Sequence, residues 1–277
     1  MKNFLDEFDK DIRKILIAQL RNLWTHTSTA IEGNTLTLGE TAFVLEEGLT
    51  VSGKPLKDHQ EVVGHARAIE LIYDLVKRET EITENDLFNL HKAVQTELMF
   101  DVYKPVGSWK VEPNWTSMID EIDGDRQVIF EYAAPKDVPV LMREWLELLN
   151  RRISLSSKEN ISENDALSAY SELHIAFVRI HPFFDGNGRI ARLVANVPVL
   201  KSGFPPIIIP KERRREYIMS LTEYHLAAGI PKPGQPLVPE TEKLEKFRLF
   251  CAESWKSSME LVHAAQEKQA ERRRSNS

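Results

Sequence analysis

The chain has 277 residues, a net charge of −6, 42% hydrophobic and 28% charged residues. That is ordinary globular composition with room for a sizeable core, and the acidic balance disfavours nucleic acid as a partner. A single cysteine, Cys251, excludes an internal disulfide framework and a thiolate zinc cluster. The acidic N-terminus lacks a signal-peptide pattern, and no window approaches the roughly 18 apolar residues of a membrane span, so the expectation is a cytoplasmic protein without a membrane partner.

Most of the chain reads as helix. Residues 5–31 repeat apolar side chains every three or four positions (Leu5, Phe8, Ile12, Leu16, Leu20, Trp24), and Gly33-Asn34 supplies a stop. Further helices are expected over 38–48 and 59–79. Thr83 caps another that carries Leu87, Leu90, His91, Val94 and Leu98. Then the texture changes. VYKPVGSWKVEPNW at 102–115 mixes Pro, Gly, Trp and Val with partial alternation and is the place for a short hairpin or flap, with Trp109 exposed on it. Residues 116–129 contain Asp123-Gly124 and form its turn or an insertion. Helices follow over 134–153, 162–180, 188–200 and 211–229. Pro-rich 230–240 reads as a linker, and a last helix over 240–270 ends in a polar tail. The fold class is all-α with one small β element, whose edge is a place to receive another peptide.

HPFFDGNGRIAR at 181–192 concentrates chemistry. Gly186-Asn187-Gly188 between two helices can turn backbone N–H groups inward as an anion nest, reinforced by the start of the next helix. Arg189 and Arg192 lie one turn apart, and guanidinium forks suit phosphate oxygens. Asp185 offers one hard oxygen beside the nest, the usual way Mg²⁺ is held together with substrate phosphates. His181 can take a proton near neutral pH. A lone His-Pro, a lone GNG or an arginine pair is usually structural. Their coincidence within twelve residues points to phosphoryl or nucleotidyl transfer.

This segment resembles, position for position, the signature H-P-F-x-[D/E]-G-N-G-R-x-x-R of the Fic (filamentation induced by cAMP) domain family. The likeness extends to 53–69, VGSW at 106–109, 138–150 and the helix before the motif. It implies a Fic-type helical core with a small β-hairpin flap, divided as 1–54, a Fic domain at 55–230, and 231–277. It also implies a protein adenylyltransferase that moves AMP from ATP to a Ser, Thr or Tyr hydroxyl of a target protein, with Mg²⁺ as cofactor. In that scheme His181 is the base and Asp185 the metal ligand. Gly186, Asn187, Gly188 and Arg189 hold phosphates, and Arg192 meets the γ-phosphate. A flap over Gly107, Trp109 and Val111 docks the target by strand-like pairing. Relatives that transfer phosphate carry Lys in place of the motif's second Gly, so Gly188 favours adenylylation.

STAIEGN at 28–34 resembles the inhibitory pattern [S/T]-x-x-x-E-[G/N] of regulated members. Ser28, Glu32 and Gly33 would then form a brake, with Glu32 paired to Arg192 and repelling the γ-phosphate. Two alternatives stay open: a de-adenylylase that uses Glu32, and a non-enzymatic ATP-sensing module. Self-modification and a homodimer also belong to what the resemblance implies. His174 and Tyr217 read as core or supporting residues near the site.

Overall fold

A computed structural model describes residues 3–95, 101–120, 126–156 and 161–275. Helix α1 spans Lys10–Ile31, α2 Leu38–Glu47, α3 Leu56–Lys77, α4 Glu84–Val94, α5 Val138–Ser156 and α6 Glu163–Ile180. They are followed by α7 at Asn187–Val194, α8 at Asn196–Lys201, α9 at Arg214–Ala228 and α10 at Glu242–Ser275. Strands β1 (Trp115–Asp120) and β2 (Arg126–Glu131) pair antiparallel with Trp115 opposite Glu131. No helix among the described residues is long and apolar enough to cross a membrane.

Local chemistry sets the boundaries. Thr37 with Glu40, Thr83 with Asp86 and Ser162 with Asp165 form reciprocal capping boxes that open α2, α4 and α6. Helix α1 starts at Lys10 rather than near residue 5, because the Asp9 N–H donates to the Gln269 side chain from α10. The helix expected over 188–200 divides at Ala195. Pro198 has no N–H to offer the Val194 carbonyl, and the Asn196 amide instead bonds Arg192 O (2.9 Å) and Ile207 O (3.0 Å). The polar tail stays helical to Ser275, where Arg272 forks onto Asp11 and reaches Asp9. Leu98 and the Asp123-Gly124 turn lie outside the described residues.

One core takes side chains from all three segments of the chain, from Phe8 and Trp24 through Trp145, Tyr170 and Phe177 to Phe247 and Trp255. The Pro-rich stretch after α9 is pinned to this body. Arg179, almost fully buried in α6, donates to the carbonyls of Ala228, Gly229 and Leu237, and the Tyr224 hydroxyl donates to Pro239 O. Helix α6 delivers residue 181 to the centre of the molecule, α7 leaves from it, and α1 ends over α7.

Candidate active site

Helix α6 stops at His181, which adopts the left-handed conformation at φ 52°. It is the one non-glycine residue with positive φ among the described residues. That region is disfavoured for a side chain carrying Cβ, so surrounding bonds must hold it. The ring Nδ1–H donates to Val178 O (3.1 Å), which leaves Nε2 as the nitrogen with a lone pair. Tyr132 stacks on the imidazole at 3.8 Å and 8°. Burial lowers the His181 pKa to about 3. Lys110 and His225 push the same way, against the Val178 bond and Asp185. The imidazole is therefore neutral at pH 7 and able to accept a proton.

The loop beyond is folded around Asn187. Its side chain accepts the Phe183 N–H (2.9 Å) and donates to the Phe183 carbonyl (2.8 Å). Gly186, at φ 78°, opens α7. Asn187 thus shapes the nest with its side chain. Buried Phe183 stacks on His91 (4.1 Å), whose Nδ1 accepts the Gly107 N–H.

The two arginines of the motif have different settings. Arg189 bonds the Asp185 carboxylate (3.1 Å) and Val94 O. Arg192 is buried and fully engaged: Nε donates to Ser28 Oγ (3.0 Å), Nη2 to Ser28 O (2.9 Å) and Glu32 Oε1 (2.6 Å), and Nη1 to the Tyr217 hydroxyl (3.3 Å). The Tyr217 hydroxyl continues to His174 Nε2 (3.0 Å). Ser28 and Glu32 reach Arg192 because they lie one turn apart at the end of α1, and the Arg214 guanidinium fixes that end by donating to Ile31 O (2.7 Å). Gly33, at φ 102°, then turns the chain away. Gly188 has a steric role that sequence alone did not reveal. A Cβ there would lie 2.8 Å from Glu32 Oε1 and 3.1 Å from Arg192 Nη1, so a side chain at this position would push the tip of Glu32 out of its present place.

Glu32, His181, Asp185, Gly186, Asn187, Gly188, Arg189 and Arg192 line one cavity of about 480 Å³. Its apolar wall comes from Ile175, Val178, Ile218 and Leu221, and its outer side from Thr116, Phe130 and Tyr132. Among the described residues no group of three His, Cys, Asp or Glu side chains stands ready to hold a metal. Asp185, 55% exposed, supplies one hard oxygen on the cavity wall. That fits an ion held by one carboxylate plus substrate phosphates and not a closed protein site.

The flap differs from the sequence expectation. The paired strands are at 115–120 and 126–131, not at 102–115. Gly107 lies in a turn, and Trp109 and Val111 in irregular chain, before β1. Pro105, Pro113 and left-handed Gly107 prevent a continuous strand there. Trp109 is half-buried rather than exposed: it packs on Phe88 (4.6 Å) and Phe183 (5.1 Å), and its indole N–H donates to Glu84. Val111 is exposed. The hairpin is tied to α9 by His225 Nε2, which donates to Glu131 O (3.0 Å). Tyr132, His225, Lys110 and Asn114 border the site and were not singled out from sequence. The alternation of VIFEY at 128–132 was the available signal for the first of them.

Comparison with known proteins agrees with this arrangement. Residues 81–199 match the model of the Fic/DOC family. Protein adenylyltransferase fic-1 of Caenorhabditis briggsae is 33% identical over 201 residues, 72% of this chain and 36% of its own length. Protein adenylyltransferase Fic of Drosophila willistoni is 33% identical over 191 residues, 69% of this chain and 34% of its own. The chain thus spans about a third of the length of these curated relatives. Among solved structures, a Fic domain containing signalling protein from Bacteroides thetaiotaomicron superposes with a TM-score of 0.79 at 27% identity, covering 95% of this chain and 93% of that one. Fic-1 (residues 134–508) of Caenorhabditis elegans gives 0.70 at 26% identity, covering 96% and 70%. With the 181–192 loop inside the matched segment and the helical frame shared, the chain carries a domain of the Fic/DOC family at residues 81–199.

Proposed function

We propose that this protein is a Mg²⁺-dependent protein adenylyltransferase restrained by its own Glu32. The observation that carries the reading is that a neutral histidine and an anion-occupied arginine face one cavity across a glycine-lined helix start. The curated relatives are named protein adenylyltransferases. In this scheme residues 55–230 form the catalytic body and 1–54 supply the brake. ATP lies with its phosphates along the N–H groups of 186–188, Arg189 and Arg192. His181 Nε2 takes the proton of a target Ser, Thr or Tyr hydroxyl. The hydroxyl oxygen bonds the α-phosphorus as the bond to pyrophosphate breaks. Asp185 would hold Mg²⁺, which supplies neutralisation of phosphate charge. The target segment lies along the strand pair of β1 and β2 rather than along Gly107–Val111.

Glu32 occupies the nitrogen that a γ-phosphate would need, and its charge repels that phosphate. A second reading is favoured by one detail. The Glu32 side chain is 40% exposed to the cavity that holds His181. A carboxylate so placed can also orient a water against an AMP–protein bond. Incubation with α-³²P-ATP and Mg²⁺ tests both readings on wild type, Glu32→Gly, and Glu32→Gly with His181→Ala. Label on the chain itself or on added proteins with Glu32→Gly alone is expected. Equal label with the double variant removes His181 as base. No label anywhere, with loss of pre-formed AMP from a modified protein, selects hydrolysis. Neither activity leaves an ATP-sensing role. A homodimer would appear as a doubled mass in light scattering.

A further inference from the structure

Lys110 is only 3% exposed, in the turn before β1. Burying an ammonium is costly, and lysines are seldom found so placed without a reason. Its partners supply one. The Lys110 amino group donates to Asn114 Oδ1 and reaches Ile180 O (3.4 Å), and burial brings its pKa down to about 7. The Lys110 backbone N–H donates to Pro182 O (2.8 Å). The Asn114 amide donates to Phe183 O (2.9 Å) and reaches His181 O (3.5 Å). Four consecutive carbonyls, from residue 180 to 183, are therefore met by two residues four apart in another segment. Of these, the Ile180 carbonyl belongs to the last turn of α6, where intrahelical partners run out, and the other three lie in the loop beyond it. They flank the disfavoured left-handed backbone of His181, which needs restraint from outside.

We propose that Lys110 and Asn114 form a clamp that fixes the backbone of the His181 loop, and so are positioning residues for the base. This rests on reading His181 as the base of an adenylyl transfer. The clamp explains why Lys110 is buried beneath a loop that a neutral core would otherwise support. It also gives the stretch 107–111 a role other than target docking. The charge has a second effect. Lys110 faces the imidazole together with His225, Asp185 and the ring of Tyr132, and of these Lys110 and His225 disfavour the imidazolium.

The test uses the full chain carrying Glu32→Gly, with Lys110→Met and Asn114→Ala added separately, and Lys110→Gln as the variant that keeps a donor. Misplacement by an ångström typically costs on the order of 10²-fold in rate. Turnover is therefore expected to fall on that order in Lys110→Met and Asn114→Ala with KM for ATP unchanged, and to recover partly in Lys110→Gln. Independently of activity, the ¹⁵N shifts of the His181 ring should report the single Nδ1–H tautomer in the parent and a mixture in the two clamp variants. Unchanged ring shifts, or a loss carried by KM, overturn the clamp. If the parent labels nothing, the adenylyl-transfer reading fails, and the ring shifts still decide the clamp. Lys110→Met removes a buried charge without leaving a cavity. Should it nevertheless not fold, Asn114→Ala alone decides by the same two readouts.

Discussion

The two ends of the cavity are built on opposite principles. At the Arg192 end, a buried cation is met by side chains from other helices: Ser28 and a partly exposed Glu32 from α1, and Tyr217 from α9. At the His181 end, the contacts are made by a neutral ring and by backbone carbonyls held in place. An anion on an arginine can be exchanged for another anion, whereas no solute replaces a set of carbonyl bonds. In the proposed scheme, regulation therefore belongs at one end and chemistry at the other.

The sharpest way to break this contrast is at the chemical end. In the Glu32→Gly chain, His181→Ala should lower labelling by ~10²–10⁴, the usual worth of a general base; a loss below about tenfold in the same radiolabel assay would move the base elsewhere. At the regulatory end, Glu32→Gly should raise labelling by roughly 5–150-fold, the range of a coupling between two sites. Its cost in stability should be well under the ~3–5 kcal/mol of a fully buried broken pair, because water reaches Glu32. Urea unfolding checks this, and a cost in the full buried range would mean that the carboxylate holds the fold rather than gates the site.

A third test concerns pH. The pKa values of His181 and His174 are lowered to about 3 and that of His91 to about 4, burial being the main cause in each. Between those values and the ordinary value near 6.5, the unfolded chain binds more protons than the folded one. The contribution of these three histidines is thus complete above about pH 6.5 and is lost as pH falls toward the folded values, by at most ~1.4 kcal/mol per pH unit for each group. Thermal midpoints from pH 4 to 7.5 should show that slope, made shallower by His174→Gln. Labelling by Glu32→Gly should stay level down to pH 5, while a fall centred near 6.5 would mean that the His181 ring keeps the ordinary histidine pKa despite its surroundings. The smallest effect expected is from Tyr217→Phe. It removes the hydroxyl between Arg192 and His174, and should cost ~0.5–1.5 kcal/mol in urea unfolding with little change in labelling.

The helices were legible because each carries a repeat of apolar side chains and a cap, as at Thr83 and Ser162. The residues of 181–192 and 28–33 were legible because their chemistry is dense in a short span. The hairpin was misplaced because the sparse alternation of 102–115 reflects Trp109 packing on Phe88 and Phe183 and Lys110 turning inward, not a strand. Its true partner, 126–131, follows residues whose composition suggested only a turn. The role of Gly188 toward Glu32, and of Lys110 and Asn114 beneath His181, depends on approaches across long stretches of chain. No local pattern encodes such approaches.

Glu32 and Arg192 are 160 positions apart, and the carboxylate is the earlier of the two. In a chain synthesised from its N-terminus, α1 has left the ribosome before the 181–192 loop exists. Glu32 waits for the arginine, and if it restrains the site as proposed, the cavity has its guard from the moment it closes. Helix α10, which grips the start of α1 through Gln269 and Arg272, is made later still. A nascent chain would thus assemble its control before its chemistry and fasten it last.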